Sequence, residues 1–184
     1  LVGDYFDDCL RAAQAFCAEQ GAHFLSPFDD PDVIAGQATV TNEILTEFPG
    51  DPDIIIMPVG GGGLSSGARK LLREVGPDVQ LILCEPKGGA SLAAARRAGE
   101  PVTLDKVDTF VDGAAVARSG TGTFKALWDQ PAQDVIVAPE DRICTTILEM
   151  LNVEGIVLEP AGALALDVLA VLKDRIAGKR VVCV

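Results

Sequence analysis

Five short apolar runs set the terms for this chain: Ile54–Val59, Gln80–Glu85, Asp134–Ala138, Ile156–Glu159 and Arg180–Val184. They are rich in Val and Ile and mostly do not alternate with polar residues. A strand that is apolar on both faces must be covered on both, which is the condition of a parallel sheet between two helical layers. Helical patterns fill the gaps. Leu64–Val75 carries apolar residues at Leu64, Ala68, Leu71, Leu72 and Val75. Ser91–Ala98 ends with Arg96 and Arg97, where positive charge suits the helix dipole. Pro139–Leu151 opens with a proline and the acids Glu140 and Asp141. Ala163–Ile176 follows a Pro-Ala-Gly turn and stops before Gly178. Strand and helix alternate, so right-handed βαβ crossovers are expected. The fold class is α/β, an open, mainly parallel twisted sheet with helices on both faces.

The first third differs. Tyr5–Glu19 places Phe6, Cys9, Ala13, Phe16 and Cys17 at helical spacing, and Ala22–Pro27 reads as a short extended piece. Phe28-Asp29-Asp30-Pro31 then breaks the chain. In the helix that follows, Val33, Gln37, Val40, Ile44 and Phe48 share a stripe. The break near residues 27–31 is the expected boundary between two lobes. Val102–Gly122 lacks clear periodicity and reads as loop plus a short element.

Composition removes several classes of function. With 184 residues, 48% of them hydrophobic, the chain can bury a core, which argues against disorder. Fifteen Lys plus Arg against 27 Asp plus Glu give a net charge of -12. That balance argues against nucleic acid or an anionic membrane as a partner. No apolar run approaches the ~20 residues that span a bilayer, and no segment reads as a signal peptide. Cys9, Cys17, Cys84, Cys144 and Cys183 form an odd set without C-x-x-C spacing. Reduced thiols and a cytoplasmic location are expected. His23 is the only histidine, which excludes a Ser-His-Asp triad, a multi-histidine metal site and H-E-x-x-H.

The sharpest local signal is Pro58-Val59-Gly60-Gly61-Gly62-Gly63-Leu64-Ser65-Ser66-Gly67, a buried strand running through four glycines into a helix. Converging backbone N–H groups make such a loop an anion cup, with phosphate as its natural guest. The spacing is neither G-x-G-x-x-G nor a P-loop, since Ala68 stands where a P-loop needs Lys. The competing reading, a turn that is glycine-rich for packing alone, is disfavoured by the backbone entropy of four glycines. Glu85 and Glu159 end two of the strands, where carboxylates face the usual ligand crevice. For Glu85 a ligand role and a helix cap are equally supported. For Glu159 the Pro-Ala-Gly turn favours function. Asp30, Pro31 and Asp32 read as helix-start chemistry rather than acid–base chemistry. Asp112-Gly113 fits either close backbone approach to a ligand or an ordinary turn. His23 reads as structural. Lysines 70, 87, 106, 125, 173 and 179 lie in charged or turn settings, without an apolar pocket that would depress an amine pKa.

Taken together, the segments resemble the threonine dehydratase branch of the fold-type II pyridoxal-phosphate (PLP) enzymes. The matching pieces are P-F-D-D-P-D-V-I-A-G-Q-A-T at 27–39, P-V-G-G-G-G-L-S-S-G at 58–67, C-E-P at 84–86, V-D-G-A-A-V at 111–116 and E-G-I-V-L-E-P-A-G-A-L-A at 154–165. They fall in the family's order across nearly the whole chain. The resemblance implies pyridoxal 5'-phosphate as cofactor, its phosphate on Gly60, Gly61, Gly62, Gly63 and Leu64. It places Gly113 near the cofactor face and Glu159 near the pyridine ring. In related serine racemases a strand-end glutamate and an aspartate six residues on hold a cation. Here Glu85 matches the first position and Ser91 stands at the second, so no metal site is implied.

The family's Ser-Phe-Lys motif with the Schiff-base lysine and its Ser-Ser-Gly-Asn-His substrate loop do not occur here, and no catalytic residue is assigned within the chain. The chain is therefore expected to be a fragment: residues 1–30 the end of a small lobe, residues 31–184 a large PLP-binding lobe incomplete at both ends. The implied reaction of the parent is deamination of L-threonine to 2-oxobutanoate and ammonia, with L-serine as second substrate. The fragment alone is expected to be inactive and the parent a homo-oligomer, dimer or tetramer. Two alternatives stand beside this: a serine racemase or serine dehydratase on the same scaffold, and a non-catalytic phosphate-binding domain.

Overall fold

A computed structural model of the protein describes residues 2–75 and 78–184. Two helices come first, α1 (Phe6–Gln20) and α2 (Pro31–Glu47), followed by β1 (Ile54–Pro58), α3 (Gly63–Val75), β2 (Gln80–Pro86) and α4 (Ser91–Ala98). After a long irregular stretch come α5 (Thr121–Leu127), β3 (Val135–Ala138), α6 (Ile143–Glu149), α7 (Pro160–Asp167), α8 (Leu169–Ile176) and β4 (Val181–Cys183). Among the described residues the four strands form one parallel sheet in the order β3-β2-β1-β4.

The lack of alternation in β1 and β2 now has its cause. Ile54, Ile56, Ile82 and Cys84 face Ile143, Leu164, Val168 and Leu172, the layer built from α6, α7 and α8. Ile55, Met57, Leu81 and Leu83 face Ala68, Leu72, Leu92, Ala95, Phe124 and Leu127, the layer built from α3, α4 and α5. Burial of each of the Ile, Leu, Val, Met and Phe side chains among them stabilises by about 1.5–3 kcal/mol. The expected α/β fold with helices on both faces is the one observed.

Four expectations need correction. Ile156–Glu159 is not a strand: no described strand pairs with it, and Ile156 and Val157 are 47% and 81% exposed. Its apolar run has no sheet edge beside it to supply ladder hydrogen bonds. The helix expected over Pro139–Leu151 begins only at Ile143, because Glu140 takes a left-handed φ of 69° and turns its carboxylate onto the Gly88 N–H, 2.7 Å away. Ala163–Ile176 is two helices meeting at Val168. The buried stripe of α2 lies one residue on from the expected one, with Ile34 and Thr41 fully inside. The reason is its crossing with α3. A side chain on Gly67 would meet the Ile34 carbonyl at 2.5 Å and the Ala38 nitrogen at 2.7 Å, so the two backbones touch there.

The sheet runs outward from β1 through β2 to β3 and then returns to the other side of β1 with β4. Such a reversal opens a crevice beyond the carboxyl ends of the strands. The loop that leaves β1 at this point is the glycine run.

Candidate functional site

The glycine run is held from four sides. Val59 continues the sheet, its N–H on the Cys84 carbonyl at 2.8 Å. A side chain on Gly60 would meet the Ala114 Cα at 3.1 Å and Val116 Cγ2 at 3.3 Å. One on Gly61 would overlap the ring of Phe28, and one on Gly63 would meet the Phe28 Cα and Cβ at 3.0 Å. Gly62 has φ +92°, a left-handed conformation, and lies against Thr123. Packing alone therefore requires glycine along this loop. The packing reading that entropy disfavoured is physically real.

What the loop offers a ligand lies in its backbone. The carbonyl side of the loop is tied down: Thr123 Oγ1 donates to the Gly61 carbonyl at 2.7 Å, and Ser65 Oγ donates to the Pro58 carbonyl at 3.2 Å. The amide side is open. Among the described residues, the N–H groups of Gly60, Gly61, Gly62, Gly63, Leu64 and Ser65 donate to no protein acceptor. Three of them belong to the first turn of α3, where no intrahelical acceptor exists. They border a cavity of about 400 Å³, walled also by Phe6, Pro27, Phe28, Gln37, Gly113, Ala114 and Val116. Unpartnered donors at a helix start, bordering a cavity, fit a phosphate dianion. No lysine is on that wall, and Asp112 is its one carboxylate among the described residues.

Gly60 to Leu64 and Gly113 thus meet on one cavity. Glu159 does not line it. It is exposed at the start of α7 and presents Oε1 to the face of Gly113, 3.1 Å from where a side-chain carbon would sit. Ala161 closes the same face at 2.9 Å, so the backbone at Gly113 can be approached only because it is glycine.

Glu85 resolves as a cap. It is fully buried at the end of β2, and its two carboxylate oxygens accept from the Leu92 and Ala93 N–H groups at 2.7 and 2.8 Å. Burial pushes its carboxyl up to about 7, against the pull of those two amides and the Arg97 cation. In the Phe28-Asp29-Asp30-Pro31 break, Asp29, Asp30 and Pro31 are structural. Asp30 caps α2, accepting from Asp32 and Val33 at 2.8 and 3.2 Å, and Pro31 opens the helix. Asp29 reaches across to accept from Thr121 and Thr123 at 2.9 Å each and so caps α5. Its carboxylate fills the space that side chains on Gly120 and Gly122 would need. His23 is exposed and away from the cavity.

Sequence reasoning missed Phe28, Gln37, Ser65 and Val116 as parts of the site. Each nevertheless lies inside one of the quoted segments, and Gln37 also stands out as a polar residue inside an otherwise apolar helix stripe.

Comparison with known proteins agrees with this geometry. The family described as pyridoxal-phosphate dependent enzyme matches residues 1–184. The L-threonine dehydratase biosynthetic IlvA of Bacillus subtilis is 47% identical over 184 residues, all of this chain and 43% of the relative. Its Lactococcus lactis counterpart is 43% identical, over all of this chain and 45% of the relative. The chain therefore spans less than half the length of these curated relatives. The processed form of threonine deaminase isoform 2 from Solanum lycopersicum superposes with a TM-score of 0.89 and 32% identity, covering 100% of this chain and 53% of that one. Maize serine racemase superposes at 0.84 with 27% identity, covering 99% and 57%. Unpartnered amides on a cavity at the reversal point of a parallel sheet, and a family match running from the first residue to the last, lead to one assignment: the chain belongs to the pyridoxal-phosphate-dependent enzymes.

Proposed function

We propose that the protein carrying this chain is an ammonia-lyase that converts L-threonine to 2-oxobutanoate and ammonia, with L-serine as second substrate. The observation that carries the reading is the row of unpartnered amides from Gly60 to Ser65 facing one cavity. The 47% identity to a biosynthetic threonine dehydratase supports the choice of reaction. Pyridoxal 5'-phosphate, when bound, supplies an electron sink for the charge that develops at the substrate α-carbon.

This chain's part is binding and placement. The amides of Gly60, Gly61, Gly62, Gly63 and Leu64 hold the phosphate, and the α3 dipole adds positive potential there. Gly113 lets the backbone approach the ring face, with Glu159 behind it. Phe6, Pro27, Phe28 and Val116 keep water from the apolar wall. Residues 1–30 serve as the end of a small lobe and 31–184 as the large one. The enzyme works in the cytoplasm as a homo-oligomer. Among the described residues no helix is long and apolar enough to cross a membrane. A coupled keto-acid assay on the full-length protein tests the reading. Release of 2-oxobutanoate faster than pyruvate is expected, and racemisation without keto acid would sink it.

A further inference from the structure

Phe28 occupies an unusual place. Its ring lies against the Cα of Gly61, and its backbone and Cβ lie against Gly63. On its other side it packs on Phe6 of α1, ring centroids 6.0 Å apart and planes tilted by 39°. It lines the cavity of the amide cup and also a second one of about 300 Å³ formed with Leu10, Phe24 and Arg118. No other residue borders both among those described. The carbonyl of Gly61 is separately fixed by Thr123. The loop is therefore held both by a hydroxyl and by an aromatic ring.

We propose that Phe28 is a positioning residue for the phosphate cup. It fills the volume that side chains at 61 and 63 would take, sets the direction of the amides of Gly61 to Leu64, and ties that direction to α1 through Phe6. A glycine loop has wide conformational freedom, and an anion cup binds well only when its donors already converge. The ring supplies that constraint without touching the phosphate itself. The inference rests on the phosphate reading given above.

A double-mutant cycle in the full-length protein tests it, with apparent PLP affinity read by absorbance titration of the apoprotein. Competition by inorganic phosphate is measured alongside. Gly61→Ala places a methyl into the ring, and such overpacking is expected to weaken PLP binding roughly 10- to 100-fold. Phe28→Ala alone weakens it by loosening the loop, whereas Phe28→Leu, which keeps bulk over Gly61, retains most of the affinity. In the Phe28→Ala background the added Gly61→Ala change should cost less than about 3-fold, because the clash is gone. Equal penalties for Gly61→Ala in both backgrounds would overturn the role of Phe28. Should Phe28→Ala not fold, Phe28→Val carries the same cycle. If phosphate does not compete with PLP on the unaltered protein, the phosphate reading itself fails, and the inference with it.

Discussion

At the scale of single residues, the site is defined by what is missing from side chains and present in the main chain. Four consecutive glycines bring bare N–H groups to a cavity, and each neighbouring segment fills the space a Cβ would need. Gly62→Asp puts a carboxylate beside those amides and a β-carbon against Thr123 at 3.0 Å, at a φ that side chains avoid. Like charge repels the phosphate while the strain opens the loop. Loss of bound cofactor from the purified full-length protein is expected, read as disappearance of its visible absorbance. Retention at normal occupancy would count against the cup. The glycine run was legible in the sequence because composition alone marks it. Phe28 was not, because a phenylalanine beside two aspartates carries no sign of which backbone it will cover.

At the scale of elements, the apolar runs at 54–59 and 80–85 were legible as strands because helices cover both their faces, whereas the equally apolar Ile156–Glu159 has no sheet edge beside it, and legibility was least where a single side chain redirects a helix. Ser91–Ala98 matched the observed helix because its alanines, its basic end and the following Gly99 agree. Glu140 broke the expected helix through a distant contact with Gly88, which no local pattern announces. The junction of β2 with α4 has a pH signature. The folded Glu85 carboxyl titrates near 7 against an ordinary value of 4.5, so between these values the folded state holds a proton that the unfolded chain has released. Stability therefore falls as pH rises through that window and levels off above it, by a component on the order of 3 kcal/mol. Glu85→Gln should remove that component. Melting temperatures of both forms from pH 4.5 to 8 measure it, and parallel curves would mean that the carboxyl is not protonated in the fold.

At the scale of the whole molecule, the six lysines are as informative as the cup. None lies on the cavity wall. Borohydride fixation of the full-length holoenzyme, followed by peptide mapping, should therefore place the labelled lysine outside residues 1–184. A stoichiometric label on Lys70, Lys87, Lys106, Lys125, Lys173 or Lys179 would transfer the amine's role to this chain. The strand order carries a further consequence, one of time. Ile54 pairs with Gln80 on one side and with Val181 on the other. At typical synthesis rates the second partner leaves the ribosome roughly 6 to 25 s after the strand that awaits it. During that interval one edge of β1, an isoleucine-rich strand buried in the finished fold, is open to any extended chain nearby. The amide cup at its end is likewise unfinished, since Thr123 and Val116 must also arrive. Cofactor capture is thus a late event in the life of the nascent chain, and the vulnerable species during expression is the one that has made β1, α3 and β2 and is still waiting for β4.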